Sequence, residues 1–262
     1  MWNTIAAAFE LANIQVIGRK RRIVTLVMFA LPILLSFVVR KFGPDDTNQG
    51  YAAVVSGMLA VFLVPFVAVF WGSALLTDEV EGKTLVFLWT RPAGRARLFV
   101  LKYIAVVFWL ALLSAIAVTA TYTILYSRES MANVSSNFLV AVWDTRALAI
   151  GAACYAALAF FFATVFKKPV TVGLLYVYLF DTIARVLPGF LKRLSVRHNV
   201  LSLTSHPTTE KPNPLTRFLA ESSITETEAM FTLIGAAVVF VIAGALILRN
   251  KEYLGDDPAR SQ

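Results

Sequence analysis

The sequence predicts an all-α integral membrane protein with six transmembrane helices and both termini in the cytoplasm. Three observations carry this. First, 58% of the 262 residues are hydrophobic and only 15% are charged, a composition far from that of a soluble domain. Second, six apolar runs each approach the roughly 20 residues that a helix needs to cross a hydrocarbon core of about 30 Å. Third, the cations gather at the ends of these runs, where basic loops are retained on the cytoplasmic face. This placement also sets nucleic acid aside as a partner. The net charge is +8, but it does not lie on a polar basic domain.

The elements follow in order. In residues 2–17, Trp2, Ile5, Phe9, Ala12 and Val16 share one helical face, interrupted by Leu11 and Ile14. This predicts an interfacial amphipathic helix that, with the basic segment Arg19-Lys20-Arg21-Arg22, makes up residues 1–22. The run 23–41 is long for a signal core and ends in Arg40-Lys41 without a small-residue cleavage pattern, so it reads as a retained first span. Further spans are expected over 52–76, 98–126, 147–166, 170–190 and 229–248. The third is long enough to tilt or to project beyond the bilayer. Lys167-Lys168-Pro169 predicts a tight turn, with proline suited to the first turn of the next helix. Thr225-Glu226-Thr227-Glu228 fits a capping box for the last span.

The spanning domain is therefore 23–249, with a loop at 77–97, another at 191–228 and a tail at 250–262. Arg19 to Arg22, the 77–97 loop, Lys167, Lys168, Arg249 and Lys251 fall on one side, which charge bias makes cytoplasmic. Arg40, Lys41, Arg128 and Arg146 fall on the other, in its shorter loops. The outer loop 191–228 carries several cations, but the bias is weakest for long loops. Within 190–201, Phe190, Leu191, Leu194 and Leu201 share a face that Lys192, Arg193 and Arg197 avoid, which suits either an outer interfacial helix or a solvated loop. Prolines 207, 212 and 214 make the stretch after it irregular.

Familiar catalytic motifs are missing. Gly82-Lys83-Thr84 resembles the tail of a phosphate-binding loop, but position 77 is Thr where that motif needs Gly, and an apolar run precedes it instead of a strand. There is no Gly-x-Ser-x-Gly and no His-Glu-x-x-His. His198 and His206 stand eight positions apart in the outer loop, a spacing that does not make a metal site. Cys154 lies in an apolar run beside alanines and reads as a small packing residue. Asn133-Val134-Ser135 is a formal glycosylation sequon. No catalytic residue, metal ligand or directly bound cofactor is expected.

The most informative stretch is the charged island 78–103, between apolar runs that end at Leu76 and restart at Leu98. So many acids and bases cannot sit in hydrocarbon, so the island is a loop at a membrane face. Residues 79–89 can form a short helix with Val80, Leu85 and Leu88 as apolar contacts and Asp78, Glu79 and Glu81 near its positive end. Pro92 and Gly94 end it, and Arg95 and Arg97 can anchor the third span at the headgroups.

The ordered set Glu79, Glu81, Thr84, Leu85, Arg91, Pro92, Arg95 and Lys102 resembles the pattern after the second span of type-2 ABC transporter permeases. Here Lys83 intervenes between Gly82 and Thr84. The resemblance implies a permease subunit that pairs with a second permease, identical or homologous, and docks on a separate ATP-binding-cassette ATPase subunit. ATP and Mg would then be held by the partner. It implies that Asp78, Glu79, Glu81, Thr84, Leu85, Leu88, Arg91, Pro92 and Arg95 contact that ATPase. It also implies location in a cell membrane, surrounded by lipid and of the prokaryotic inner or plasma type, and export over uptake.

Polar groups inside the spans are the other candidates. Thr171, Tyr178, Asp181 and Arg185 are placed on one face of the fifth span by their spacing, with Asp181 and Arg185 an i,i+4 pair. Such charges should face protein or water, so they either line a path or gate or neutralise each other to fix packing. Thr119, Tyr122 and Tyr126 form a second stripe, toward the outer end of the third span, where tyrosine also serves as an interface anchor. Gly151, Ala152, Ala153, Ala156 and Ala157, and Gly235, Ala236, Ala243 and Gly244, permit close helix contact. Two rival readings stay open: a nontransport membrane scaffold or sensory permease, and a membrane enzyme using Asp181, Arg185, His198 or His206.

Overall fold

The computed structural model describes residues 19–44, 46–81, 95–127, 131–186, 195–204 and 225–250, with the side chains of 19–22, 76–81, 95, 131–137, 185–186 and 250 outside the description. The interfacial helix expected at 2–17, the loop proper at 82–94, Phe190 to Leu194, the proline-rich stretch and the C-terminal tail lie outside the described residues. The fold is all-helical, as the composition predicts.

Helix α1 spans Arg19–Phe42. It carries Pro32 in its interior, where proline removes a ladder donor. Ser36 donates to the Pro32 carbonyl at 2.7 Å and to Thr121 Oγ1 at 3.2 Å, tying α1 to the third span. Helix α2, Thr47–Ala52, starts at Asp46, whose carboxylate accepts from the Asn48 N–H at 3.0 Å. It runs into a π-helical segment, Ala53–Leu63, and then α3, Val64–Glu81. Helices α4, Arg95–Tyr126, and α5, Met131–Val165, have 32 and 35 residues, well beyond the roughly 20 that cross the hydrocarbon.

Then come α6, Pro169–Leu175, a π-helical turn at Tyr176–Phe180, and α7, Asp181–Val186. The expected turn before α6 is present, with Lys168 as N-cap and proline in the first turn. Helix α8 is Val196–Leu203 and α9 is Glu226–Asn250. The expected capping box forms at α9: the Glu228 N–H donates to Thr225 Oγ1 at 3.4 Å and Glu228 Oε2 accepts from the Thr225 N–H at 3.2 Å. Thr225→Ala should cost about 1 kcal/mol, seen as faster amide exchange confined to the first turn of α9.

Among the described residues, five helices are long and apolar enough to cross a membrane: Ile23–Phe42, Thr47–Leu75, Ala96–Tyr126, Phe138–Val165 and Glu226–Arg249. The sixth apolar stretch, Pro169–Ala184, is shorter, at about 24 Å if it were all α-helical.

Three expectations are corrected. The fourth span does not begin at 147: its helix starts at Met131, so Arg146 is a helical residue and not a loop residue. The second span is not a plain α-helix, since Ala53–Leu63 is π-helical. Tyr122 and Tyr126 are not interface anchors but are buried among protein. Within the expected loop 191–228 the structure shows the helix Val196–Leu203, which buries Val196, Asn199, Val200 and Leu203, with Leu201 partly buried against the core; Phe190, Leu191 and Leu194 of the expected face lie outside the described residues. Ser195 sets that register as N-cap, accepting from the His198 N–H at 3.2 Å.

The core lies where α3 and α5 pack together, flanked by α4, α6 and α9. Small residues make the contact close. A Cβ on Gly72 of α3 would meet the Ala159 methyl of α5 at 2.8 Å. The alanine run of α5 does what its composition suggests: Ala152, Ala156 and Ala157 are buried, and the carbonyl of Ala153 accepts from the Tyr103 hydroxyl at 3.1 Å. In α9, Gly244 sits against the Phe99 ring, with a Cβ only 2.7 Å from it, whereas Gly235 faces open space.

Candidate functional site

The short links Phe42 to Thr47, Tyr126 to Met131 and Val165 to Pro169 make neighbouring helices antiparallel, so the bundle has two distinct ends. One end receives the close of α3 and the start of α4, which residues 82–94 join. The other carries α2, the end of α4, the start of α5, α7, α8 and the start of α9. Contacts respect this division: Trp71 donates to Thr25 at 3.1 Å near the first end, and the Tyr126 hydroxyl meets Asn48 Oδ1 at 2.5 Å near the second.

At the 82–94 end, Asp78, Glu79 and Glu81 belong to the last turns of α3 and Arg95 opens α4. Their side chains, and all of Thr84, Leu85, Leu88, Arg91 and Pro92, lie outside the described residues. What the structure adds is the frame: the helices that bracket this connection are both long spans packed in the core. Arg97, Lys167, Lys168 and Arg249 are exposed at this end. Lys102, by contrast, is buried.

At the opposite end two buried polar groups stand out. The first is aromatic. Tyr51, Tyr122 and Tyr126 pack with centroid separations of 6.0, 5.8 and 4.5 Å, and Tyr51 lies beside the Asp144 carboxylate. Asp144 is buried, which explains how an acid is tolerated in a long apolar helix. Beside it Arg146 pairs with Glu226 of α9 and stacks on the Trp143 ring at 4.1 Å.

The second group centres on Asp181, which is fully buried. Oδ2 accepts from the Tyr155 hydroxyl of α5 at 2.8 Å, and Oδ1 accepts from the Ser195 hydroxyl at 3.0 Å. Asn199 Nδ2 donates to the Ser195 carbonyl at 2.8 Å, which firms the first turn of α8. Asp181 therefore sits at the positive end of α8, bonded to its N-cap serine.

The expected single face of Thr171, Tyr178, Asp181 and Arg185 does not form. Thr171 is exposed, Tyr178 is half-buried with its hydroxyl donating to the Phe62 carbonyl at 3.2 Å, and Asp181 faces inward. The reason is local: the π-helical turn Tyr176–Phe180 lies between Thr171 and Asp181. An i→i+5 turn changes the phase by about 100° for each inserted residue, so spacings counted at 3.6 residues per turn fail across it. The Arg185 side chain lies outside the description. Thr119 is exposed and Tyr122 buried, so the second stripe is split as well.

Sequence reasoning did not find Tyr155, Ser195, Asn48, Tyr51 or Asp144. Two signals were available. Ser195 precedes apolar residues at 196, 200 and 203, an N-cap pattern. A lone acid such as Asp144 inside an apolar helix demands a partner on a neighbour. His198 is half-buried on α8, and His206 lies outside the described residues. Among the described residues no cluster of three or more His, Cys, Asp or Glu could hold a metal.

Comparison with known proteins gives one match. The family model described as ABC-2 family transporter protein covers residues 19–182, from the start of α1 to the start of α7. No curated protein matches the chain.

Proposed function

Because the chain belongs to the ABC-2 family of transporter proteins, we propose that it is the permease subunit of an ATP-driven exporter, moved by a separate ABC ATPase that docks on residues 78–97. Its standing as a multi-pass membrane component of a transporter follows from the family and from five membrane-length helices. The observation that carries the finer reading is the position of the 82–94 connection. It joins α3 and α4, and α3 packs directly on α5 along the core. A load applied there reaches the centre of the bundle through two rigid helices.

Orientation has its own support. Arg97, Lys167, Lys168 and Arg249 are exposed at the 82–94 end, whereas Arg146 at the other end is paired with Glu226. Positive-inside bias puts the 82–94 end in the cytoplasm, within reach of ATP. With α1 and α9 both reaching that end, the short helical stretch α6 to α7 completes six crossings and leaves both termini cytoplasmic. A second permease, identical or homologous, completes the passage, in a plasma membrane of prokaryotic type. ATP and Mg stay on the partner.

Glu79→Arg and Glu81→Arg test this reading. Each places a cation where the end of α3, at the proposed docking segment, carries an acid, and each should reduce the copurified ATPase about tenfold, within the range for a reversed charge at an interface. Membrane insertion and yield should match the parent. An undiminished complex with undiminished ATP turnover would remove the coupling assignment.

A further inference from the structure

We propose that α8 is a latched insert: a short helix seated in the outer part of the bundle by the Asp181 carboxylate, which can unseat without the spans coming apart. The seat is specific. Val200 of α8 packs so closely on α5 that a Cβ on Gly151 would stand 2.6 Å from its Cγ2. Val196, Val200 and Leu203 are buried against α5, α9 and the π-helical segment. The latch is equally specific. Asp181 joins three elements at one carboxylate: its own α7, α5 through Tyr155, and α8 through Ser195. The serine that makes the α8 contact is also the N-cap of that helix.

Polar residues flank the seat. Arg197 and His198 are half-buried and Asn199 is buried, although α8 packs at the depth of Gly151, inside the span Phe138–Val165. A helix this polar is held at such depth by satisfied contacts more than by apolar transfer. Removing the carboxylate takes away the acceptor that Tyr155 and Ser195 share and leaves α8 seated by its apolar face alone. Asp181 is therefore a positioning residue for α8, whereas the aromatic group around Tyr51 holds α2, α4 and α5 together on its own.

The test reads the unseated population directly, and its outcome depends on neither membrane orientation nor transport. In a Cys154→Ser background, Val200→Cys and, separately, Ala141→Cys place one thiol each. Both positions are buried, the first under α8 and the second on α5 away from it. The full chain in nanodiscs, open on both faces, is treated with a charged maleimide. Where reclosing outpaces reaction, labelling tracks the open fraction. Adding Ser195→Ala should speed labelling at position 200 about tenfold, and adding Asp181→Ala about a hundredfold, as expected for losing one and then both bonds to a charged group. Labelling at position 141 should keep the parent rate in both. Unchanged rates at 200 in both variants would mean that apolar packing alone seats α8. Rates at 141 that rise in step with 200 in the milder Ser195→Ala variant would mean that the network supports the whole bundle. Either result overturns the proposal.

Discussion

Leucine at position 72 is expected to lower the thermal unfolding midpoint by about 10 °C. A Cβ there would meet Ala159 Cβ at 2.8 Å, Phe160 Cδ2 at 3.2 Å and the Ala156 carbonyl oxygen at 3.4 Å. Two of these neighbours are a methyl fixed to the α5 backbone and a backbone oxygen of α5, so neither can rotate away. Overpacking of this kind costs about 1–3 kcal/mol and sometimes more, and the α3–α5 seam is long enough that separating it at one point loosens contacts on either side. For a chain of this size each kcal/mol moves the midpoint by roughly 2–4 °C.

The contrast makes the test discriminating. Gly57 and Gly235 have nothing within 4 Å of a built Cβ. Leucine there relieves about 0.8–1 kcal/mol of helix propensity with no clash, so both variants should melt at or slightly above the parent. A Gly72→Leu protein that melts with the parent, or a Gly57→Leu protein that falls as far as Gly72→Leu, would mean that the close approach of α3 and α5 does not govern stability.

The same seam shows how far the sequence could be read. Apolar run length found all six hydrophobic stretches, because the need to satisfy every backbone group in lipid leaves helices as the natural solution. The capping box at Thr225 and Glu228 and the proline start at Pro169 were legible because they depend only on neighbours in sequence. The run of small residues in α5 foretold close packing but not its partner. Partners are nonlocal: nothing in the order of residues says that Asp181 meets Tyr155, 26 positions away. The π-helical turn at Tyr176–Phe180 has no sequence signature comparable to a proline, yet it decides which way Asp181 points. Arg146 suggested a loop because charge usually marks a span's end. Here Glu226 of a neighbouring helix matches that charge, and the helix continues through it. The 78–97 island is the reverse case. Its ordered pattern was plain in the sequence, and the structure contributes the two spans that bracket it.

A disulfide between positions 151 and 200 is expected to arrest the working cycle. The Cβ of a residue at 151 would lie 3.6 Å from Val200 Cβ, inside the roughly 3.5–4.5 Å window that a disulfide requires. Gly151→Cys with Val200→Cys, in the Cys154→Ser background, should therefore oxidise readily and hold α8 in its seat. The bond forms within the span Phe138–Val165 where α8 packs, away from the end at which α3 closes and α4 starts, so ATPase copurification should stay at the parent level. If α8 must unseat for the bundle to change state, fixing it withholds that state from the motor. Couplings between distant sites are commonly 1–3 kcal/mol, so ATP turnover by the purified permease–ATPase complex should fall about tenfold on oxidation and recover on reduction. The recovery matters, because a cysteine pair that merely damaged packing would stay impaired when reduced. Full cross-linking with unchanged turnover would show that α8 stays seated throughout the cycle, leaving the latch without a part in transport. Loss of the ATPase from the oxidised complex would instead tie the outer end to the docking surface itself, a direct connection that the separation of the two ends of the bundle argues against.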